Sequence, residues 1–154
     1  MPPPPFRHNP LPPGPMKQEH TALSIPTQGR GLYEITGKVG EWLASTGIAA
    51  GLLTLFCRHT SASLLINENA APAVQRDMLR WLEAVAPEGG HYEHDSEGPD
   101  DMPAHLKSAL TGVNLSIPVA EGRLVLGTWQ GIFLAEHRTA PHRRSVALHL
   151  IGEV

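Results

Sequence analysis

The sequence has very little cysteine. Cys57 is the only cysteine in 154 residues, so an internal disulfide framework and a cysteine-based zinc cluster are both excluded. Its apolar neighbours Leu55 and Phe56 favour a buried, unreactive thiol over a nucleophile. A single thiol also suits a reducing compartment, and we expect a cytoplasmic protein.

The sequence also lacks an excess of positive charge and a long apolar run. It carries 12 basic and 15 acidic residues, a formal net charge of −3, so no strong positive field attracts nucleic acid or an anionic membrane. It has no run of about 18 apolar residues that could span a bilayer, and its N-terminus does not have the pattern of a signal peptide. We expect neither nucleic acid nor a membrane as a partner.

Several common catalytic signatures are missing. The sequence contains no Gly-x-Ser-x-Gly elbow, no Gly-x-Gly-x-x-Gly turn and no Walker A pattern, which argues against an α/β-hydrolase, a dinucleotide-binding domain and a P-loop enzyme. A serine–histidine–acid triad is compatible with the residue counts alone.

Proline is concentrated at the N-terminus. Eight prolines fall within residues 1–15, where they leave few backbone donors and few groups that can pack. We predict a flexible or polyproline-like leader over residues 1–15 and one domain over residues 16–154, since 41% apolar residues suffice for one core. A ligand for a proline-recognition module is the alternative for the leader.

Hydrophobic periodicity predicts more strands than helices. Alternation and short apolar runs predict strands over residues 18–25, 51–58, 63–66, 113–119, 123–127, 131–135 and 145–151, with Pro26 ending the first. Helical spacing predicts helices over residues 35–43, 72–85 and 103–110. Short turns join most neighbours, so we expect an α+β domain with a mainly antiparallel sheet and two or three packed helices.

The most unusual segment is residues 94–105. His94 and His105 enclose four carboxylates there, those of Asp95, Glu97, Asp100 and Asp101. Neutral imidazole and carboxylate bind divalent metals and exchange protons near neutral pH, so we predict a functional loop. A solvated acidic connection is the alternative.

Three other polar stretches carry candidate site residues. Residues 58–63 place a cation, an imidazole and three hydroxyls after an apolar strand, which could hold a phosphate or form an ordinary strand end. The side chains of residues 67–69 suit helix capping, and this explanation is stronger for Asn69 than for Glu68. In residues 127–131, glycines at both ends flank the indole of Trp129 and the amide of Gln130. Such glycines permit the close approach of a ligand or mark a bulge.

Arginines near the C-terminus form a further group. Arg138, Arg143 and Arg144 suit bidentate phosphate contacts, although exposed arginines more often serve solubility.

Taken together, these motifs resemble the YjbQ family. The resemblance is carried by His59-Thr60-Ser61-Ala62-Ser63 with Asn67-Glu68, by the loop from His94 to His105, and by Gly127-Thr128-Trp129-Gln130-Gly131-Ile132 with Glu136 and Arg138. It covers about residues 17–154. It implies a compact α+β fold, a homotrimer whose polar clusters meet near subunit interfaces, and a bound metal in some members. Family members are regarded as secondary thiamine-phosphate synthases, which implies joining a pyrimidine diphosphate to a thiazole phosphate with release of pyrophosphate.

Two hypotheses about the site follow from the residues and this resemblance. The first is that His59, His94 and His105 bind a divalent metal ion, zinc or magnesium, with Glu136 or a loop carboxylate as a further ligand; the catalytic residues are then His59, His105 and Glu136. The second is that a small phosphorylated substrate is held by Thr60, Ser61, Ser63, Asn67, Glu68, Trp129, Gln130 and Arg138.

Two other functions stay open at this point. A metal with a bound hydroxide also suits a hydrolase of a small phosphorylated substrate. The same pocket also suits a non-catalytic, metabolite-binding trimer, because a fold and a pocket do not by themselves define a reaction.

Overall fold

Strands form most of the domain. The computed structural model describes residues 14–154, which contain eight strands and three helices. The strands are β1 Met16–Thr27, β2 Gly31–Glu34, β3 Ala50–Cys57, β4 Ala62–Glu68, β5 Asn114–Ala120, β6 Arg123–Leu124, β7 Gln130–Glu136 and β8 His142–Glu153; the helices are α1 Thr36–Thr46, α2 Pro72–Val85 and α3 Asp101–Thr111. Of the predicted leader, residues 1–13 lie outside the described residues, and Gly14 and Pro15 have no regular secondary structure.

The strands form two antiparallel sheets. One has the order β1-β8-β3-β5-β6 and the other β2-β7-β4. Strand β8 lies between β1 and β3 and pairs along its whole length with β1, from Thr27 opposite His142 to Met16 opposite Glu153. The predicted α+β fold, with mainly antiparallel strands and two or three packed helices, is therefore confirmed, although the strands form two sheets rather than the one expected.

One core joins both sheets and helix α1. Alternate residues of β8 and β3 point inward, and residues one turn apart on α1 cover them. The fully buried side chains of this core include Leu53, Leu55, Val146, Leu148, Leu150, Leu64, Leu134, Val39 and Leu43. Burying each of these stabilises the fold by roughly 1.5–3 kcal/mol relative to exposure. Helix α1 ends at Gly47, whose φ of 72° is a left-handed conformation that favours glycine.

Several boundaries differ from the prediction. The first strand continues through Pro26 to Thr27, because β1 is an edge strand, where proline is tolerated. Strand β2 was missed, since four residues carry no internal period and are ordered by pairing with β7. The predicted strand over residues 123–127 is reduced to two residues in β6.

The start of helix α2 also differs. The predicted capping by Asn69 is wrong, because Ala71 is the N-cap residue and no side chain caps the helix. The Asn69 amide nitrogen Nδ2 instead donates to Glu34 Oε2 at 3.0 Å. The Glu68 carboxylate accepts a hydrogen bond from the Ala71 backbone amide at 2.9 Å.

No helix within residues 14–154 is both long enough and apolar enough to cross a membrane.

Candidate metal cluster and adjoining pocket

The first two turns of helix α3 and the loop before it form a cluster of histidines and carboxylates. Asp101 and His105 are one turn apart on α3 and so lie on the same face. Asp101 Oδ2 lies 2.8 Å from His94 Nε2 and 3.1 Å from His105 Nε2. Glu97 Oε2 lies 3.3 Å from His94 Nε2. One ligand atom from each of these four residues falls within 4.8 Å of the others, which is compact enough for one ion.

The orientation of the His105 ring is fixed from its other nitrogen. His105 Nδ1 donates to the Thr60 carbonyl oxygen at 2.9 Å, so the neutral ring presents an unprotonated Nε2 to Asp101. Two lone pairs facing each other at 3.1 Å require a cation between them, either a second proton on the ring or a metal ion. A metal-bound histidine usually donates its other N–H to a carbonyl or a carboxylate in this way.

Arg138 holds the loop and the helix start together. Its Nη1 donates to Asp101 Oδ1 at 2.7 Å, its Nε to Asp100 Oδ2 at 2.8 Å, and its Nη2 to the Glu97 carbonyl at 2.9 Å. Thr139 donates to the same Asp100 oxygen through its amide and its hydroxyl. The guanidinium predicted to bind substrate phosphate therefore fixes the carboxylates of the cluster.

The charges of the cluster shift its pKa values. Burial alone would raise the pKa of Asp101, but the hydrogen bond from His94 and the charges of His105 and Arg138 outweigh burial and lower it. The pKa of Asp100 falls to about 2, because hydrogen bonds from Arg138 and Thr139 outweigh burial. The hydrogen bond to Asp101 raises the pKa of His94. Both aspartates are thus ionised at neutral pH, and Asp101 has the charge state that a metal ligand needs.

The donor set fits a divalent first-row metal. Two imidazoles and two carboxylates suit zinc and similar ions, whereas magnesium prefers oxygen ligands and retained water. Of the three histidines predicted as ligands, the structure brings His94 and His105 together. It supplies Asp101 and Glu97 as the loop carboxylates.

His59 lies outside this cluster. Its Nε2 accepts a hydrogen bond from the Ser145 backbone amide at 2.7 Å, so the neutral ring carries its proton on Nδ1. Burial, followed by the positive charge of Arg144, lowers the pKa of His59 and favours this neutral form. His59 is therefore set up as a hydrogen-bond donor through Nδ1.

A pocket of about 720 Å³ adjoins the cluster. Its apolar wall includes Phe56, Ala109 and Val113, and its polar side includes Arg58, His59, Thr60 and His105. The volume lies in the range of small-molecule sites. Three predicted site residues, His59, Thr60 and His105, thus meet at one pocket, and His105 belongs to both the pocket and the cluster.

Three other predicted residues are inside the protein. Ser63 is 0% exposed, and its Oγ lies 2.8 Å from His137 Nε2. Ser61 is 8% exposed, and its Oγ accepts from Arg144 Nη2 at 3.0 Å. The Glu136 carboxylate is buried in a two-pronged ion pair with Nε and Nη2 of Arg144. These three side chains are therefore held by buried contacts and are not part of the pocket lining.

The remaining predicted residues lie at the far ends of strands β4 and β7. Glu68 pairs with Gln130, whereas Ala62 pairs with Glu136 at the other end of the same ladder. Six steps of about 3.3 Å place Glu68 roughly 20 Å from Ala62 at the pocket end of β4, and Asn67 lies one step nearer. Trp129 is 47% exposed there, and Gln130 Oε1 accepts from the Gly127 amide at 2.7 Å. Within one chain, the predicted residues form two separate groups.

Sequence reasoning did not single out Asp101 among the loop carboxylates, and it missed His137. The spacing of Asp101 and His105 by four residues was the available signal once the helix is known to start at Asp101. His137 is buried behind Ser63, and no local pattern marks it, because its partners come from distant strands and helices.

Two antiparallel sheets around one core, with a histidine–carboxylate cluster beside an open pocket, define a small α+β domain with a candidate metal site. Comparison with known protein families shows which family of such domains the chain matches. The model of the family described as UPF0047 protein YjbQ-like matches residues 21–153. The chain belongs to this YjbQ family, as its motifs predicted.

Individual relatives are similar to this chain over most of their length. A UPF0047 protein of Synechocystis is 49% identical over 139 residues, covering 90% of this chain and 95% of the relative. The UPF0047 protein YjbQ of Escherichia coli O157:H7 is 45% identical, covering 85% of this chain and 96% of the relative. A crystal structure of a YjbQ-like protein of unknown function from Sulfolobus solfataricus P2 has a TM-score of 0.83 at 27% identity, covering 90% of this chain and 99% of that one.

Proposed function

We propose that this chain is a metal-assisted enzyme of the secondary thiamine-phosphate synthase type. It would join a pyrimidine diphosphate to a thiazole phosphate and release pyrophosphate. The proposal is supported above all by His105, whose ring lines the pocket and directs Nε2 at Asp101. A substrate in the pocket would therefore lie beside the residues that suit a metal.

The residues that would hold the ion are His94, Asp101 and His105, with Glu97 as a fourth ligand. Bound there, a divalent ion would supply positive charge to stabilise the leaving pyrophosphate. Arg138 keeps Asp101 in place through Oδ1 and leaves Oδ2 directed at the two imidazoles. Arg138 of the same chain thus positions the Asp101 carboxylate for an ion.

The pocket supplies the other interactions that the reaction needs. His59 Nδ1 and the Thr60 hydroxyl would donate to substrate oxygens, and the orientation of His59 is set by Ser145. Phe56 and Val113 would face an aromatic ring and exclude water from it. A ring held against an aromatic face contributes about 1 kcal/mol beyond the burial of its area.

One observation favours hydrolysis of a single phosphorylated substrate as the second candidate. Trp129 and Gln130, predicted to shape a ring pocket, lie within one chain at the end of the β4–β7 ladder opposite the pocket end, and the length of β4 separates the two ends by roughly 20 Å. A hydrolase needs only the pocket beside His105. A metabolite-binding role without turnover remains the third candidate.

We also propose a cytoplasmic homotrimer. The outer face of the five-stranded sheet exposes Leu52, Phe56 and Ile151 at 43%, 48% and 37%, and apolar side chains grouped in this way mark interaction surfaces. Contact through this face would bring other parts of neighbouring chains toward the pocket at Phe56. The free, buried Cys57 suits a reducing compartment. Light scattering of the purified protein would test the trimer, and a monomer would contradict it.

The first experiment measures metal content and product together. Purified protein is analysed for bound metals and then incubated with both thiamine precursors, and thiamine phosphate is quantified. We expect about one metal ion per chain and saturable product in the wild type, and loss of both in His105→Ala. His91→Ala is the matched control, because His91 is exposed and outside the cluster.

The possible results separate the candidates. Pyrophosphate or phosphate release without thiamine phosphate would support the hydrolase. Tight binding of a precursor without turnover would support the binding role. Equal, negligible metal in the wild type and in His105→Ala would contradict every metal-assisted function.

A further inference from the structure

We infer that Arg58 is the anchor for the anionic group of the pocket's ligand and makes the pocket select charged over neutral molecules. This inference rests on the proposed small-molecule role of the pocket. It does not depend on the metal or on the reaction that is catalysed.

Arg58 differs from the arginines that hold the fold together. Arg30, Arg138 and Arg144 each donate to a carboxylate. Within residues 14–154, no carboxylate lies within ion-pair distance of Arg58, and its side chain is exposed at the pocket. Within one chain, its guanidinium therefore binds a ligand without first breaking an ion pair.

The backbone of Arg58 is nevertheless fixed. Arg58 directly follows strand β3, and its amide donates to the Ser145 carbonyl at 3.2 Å. The amide of Ser145 in turn donates to His59 Nε2. The same strand residue thus fixes the origin of the Arg58 side chain and the direction of the His59 donor.

The charge of the pocket lining points to an anion. The lining includes Arg58, His59 and His105 but no aspartate or glutamate. The nearby carboxylates are occupied elsewhere, Asp101 by the cluster and Glu136 by Arg144. A guanidinium beside a fixed imidazole N–H gives several donors for one phosphate or carboxylate, which arginine binds through two parallel hydrogen bonds.

The rest of the lining indicates that the ligand also has an apolar part. Phe56 is 48% exposed and forms the wall with Ala109 and Val113. These side chains offer no donors, so a ligand gains from them only by burying apolar area. The ligand class is therefore a small molecule that carries a phosphate or carboxylate on an apolar body.

Binding of simple probes to the metal-free protein tests this inference. The probes are phenyl phosphate, benzoate and benzyl alcohol, titrated calorimetrically into full-length protein kept in chelator. The variants are Arg58→Ala, Arg58→Lys and, as control, Arg123→Ala, which removes an exposed arginine of β6 outside the pocket lining. Amide NMR shifts of Thr60 and Asn114 report whether each probe occupies this pocket.

We expect one or both anionic probes to bind the wild type and to bind Arg58→Ala at least 10-fold more weakly, with Arg58→Lys in between. Benzyl alcohol should bind weakly and equally to all variants, and Arg123→Ala should match the wild type. The stronger of phenyl phosphate and benzoate identifies the anion. Binding that is equal in wild type and Arg58→Ala, or no binding of either anion, would overturn the inference. Because these titrations use metal-free protein, their result can be interpreted even if the proposed metal-assisted function fails.

Discussion

Acidification should destabilise this protein through one buried histidine, His137. This residue is 2% exposed, and its Nε2 lies 2.8 Å from Ser63 Oγ. Burial, followed by the positive charge of Lys107, lowers the pKa of His137 from 6.5 to about 4. The folded protein therefore keeps this ring neutral over a pH interval in which the unfolded chain protonates it.

The sign and size of the effect follow from the two pKa values. Because the folded pKa lies below the unfolded one, the contribution to stability is complete above about pH 6.5 and is lost as the pH falls to about 4. Each pH unit in this interval corresponds to about 1.4 kcal/mol. Protonation of this residue alone should thus lower the free energy of unfolding by about 3 kcal/mol. That is a large part of the free energy of unfolding of a typical domain, about 5–15 kcal/mol.

Urea unfolding between pH 7.5 and 4.5 measures this dependence. The variant is His137→Gln, whose amide can still contact Ser63 Oγ but does not titrate, and the control is the exposed His91→Gln. Wild type and His137→Gln share every other ionisable group, so the difference between these two proteins isolates the buried ring. Parallel curves for these two proteins, or an NMR titration of His137 centred near 6.5, would refute the reasoning.

Three further substitutions have defined outcomes. Gly152→Ala places a methyl group 2.1 Å from the Ala50 carbonyl oxygen, so thermal unfolding should show a loss of about 2 kcal/mol or more; an unchanged melting temperature would contradict this close approach. Glu136→Gln leaves the buried Arg144 without an anionic partner, and denaturant unfolding should show a loss of about 3–5 kcal/mol, whereas a loss below about 1 kcal/mol would argue against the ion pair. Asp101→Asn should reduce bound metal in elemental analysis while circular dichroism stays unchanged; wild-type metal content would remove Asp101 from the cluster.

The sequence predicted what depends on local pattern. The long strands and all three helices were found from hydrophobic period, because alternation and helical spacing are properties of neighbouring residues. Strand β2 could not be found, since its four residues are ordered by β7, about 100 residues later in the chain. The bounds of β6 failed for a different reason, because only Arg123 and Leu124 pair with the preceding strand β5 and the apolar run over residues 123–127 does not show where this pairing stops.

The candidate site was predicted in part, for a related reason. The acidic segment correctly drew attention to His94 and His105, which lie close in the chain and close in space. The position of His59 depends on Ser145, 86 residues away, and that distance carries no local signal. Glu68 lies far from His59 because strand β4 runs away from His59 and ends at Glu68. Amino-acid composition does not reveal this direction.

The sheet order has a consequence for how the chain folds during synthesis. Strand β8 is made after every other strand described here, yet it lies between β1 and β3. Its first residue pairs with Thr27, 115 positions earlier. Until β8 leaves the ribosome, β1 has no partner and β3 has one free edge, and unpaired edges promote aggregation. We therefore expect the nascent chain to depend on chaperones, and truncation just before His142 to leave a protein that aggregates.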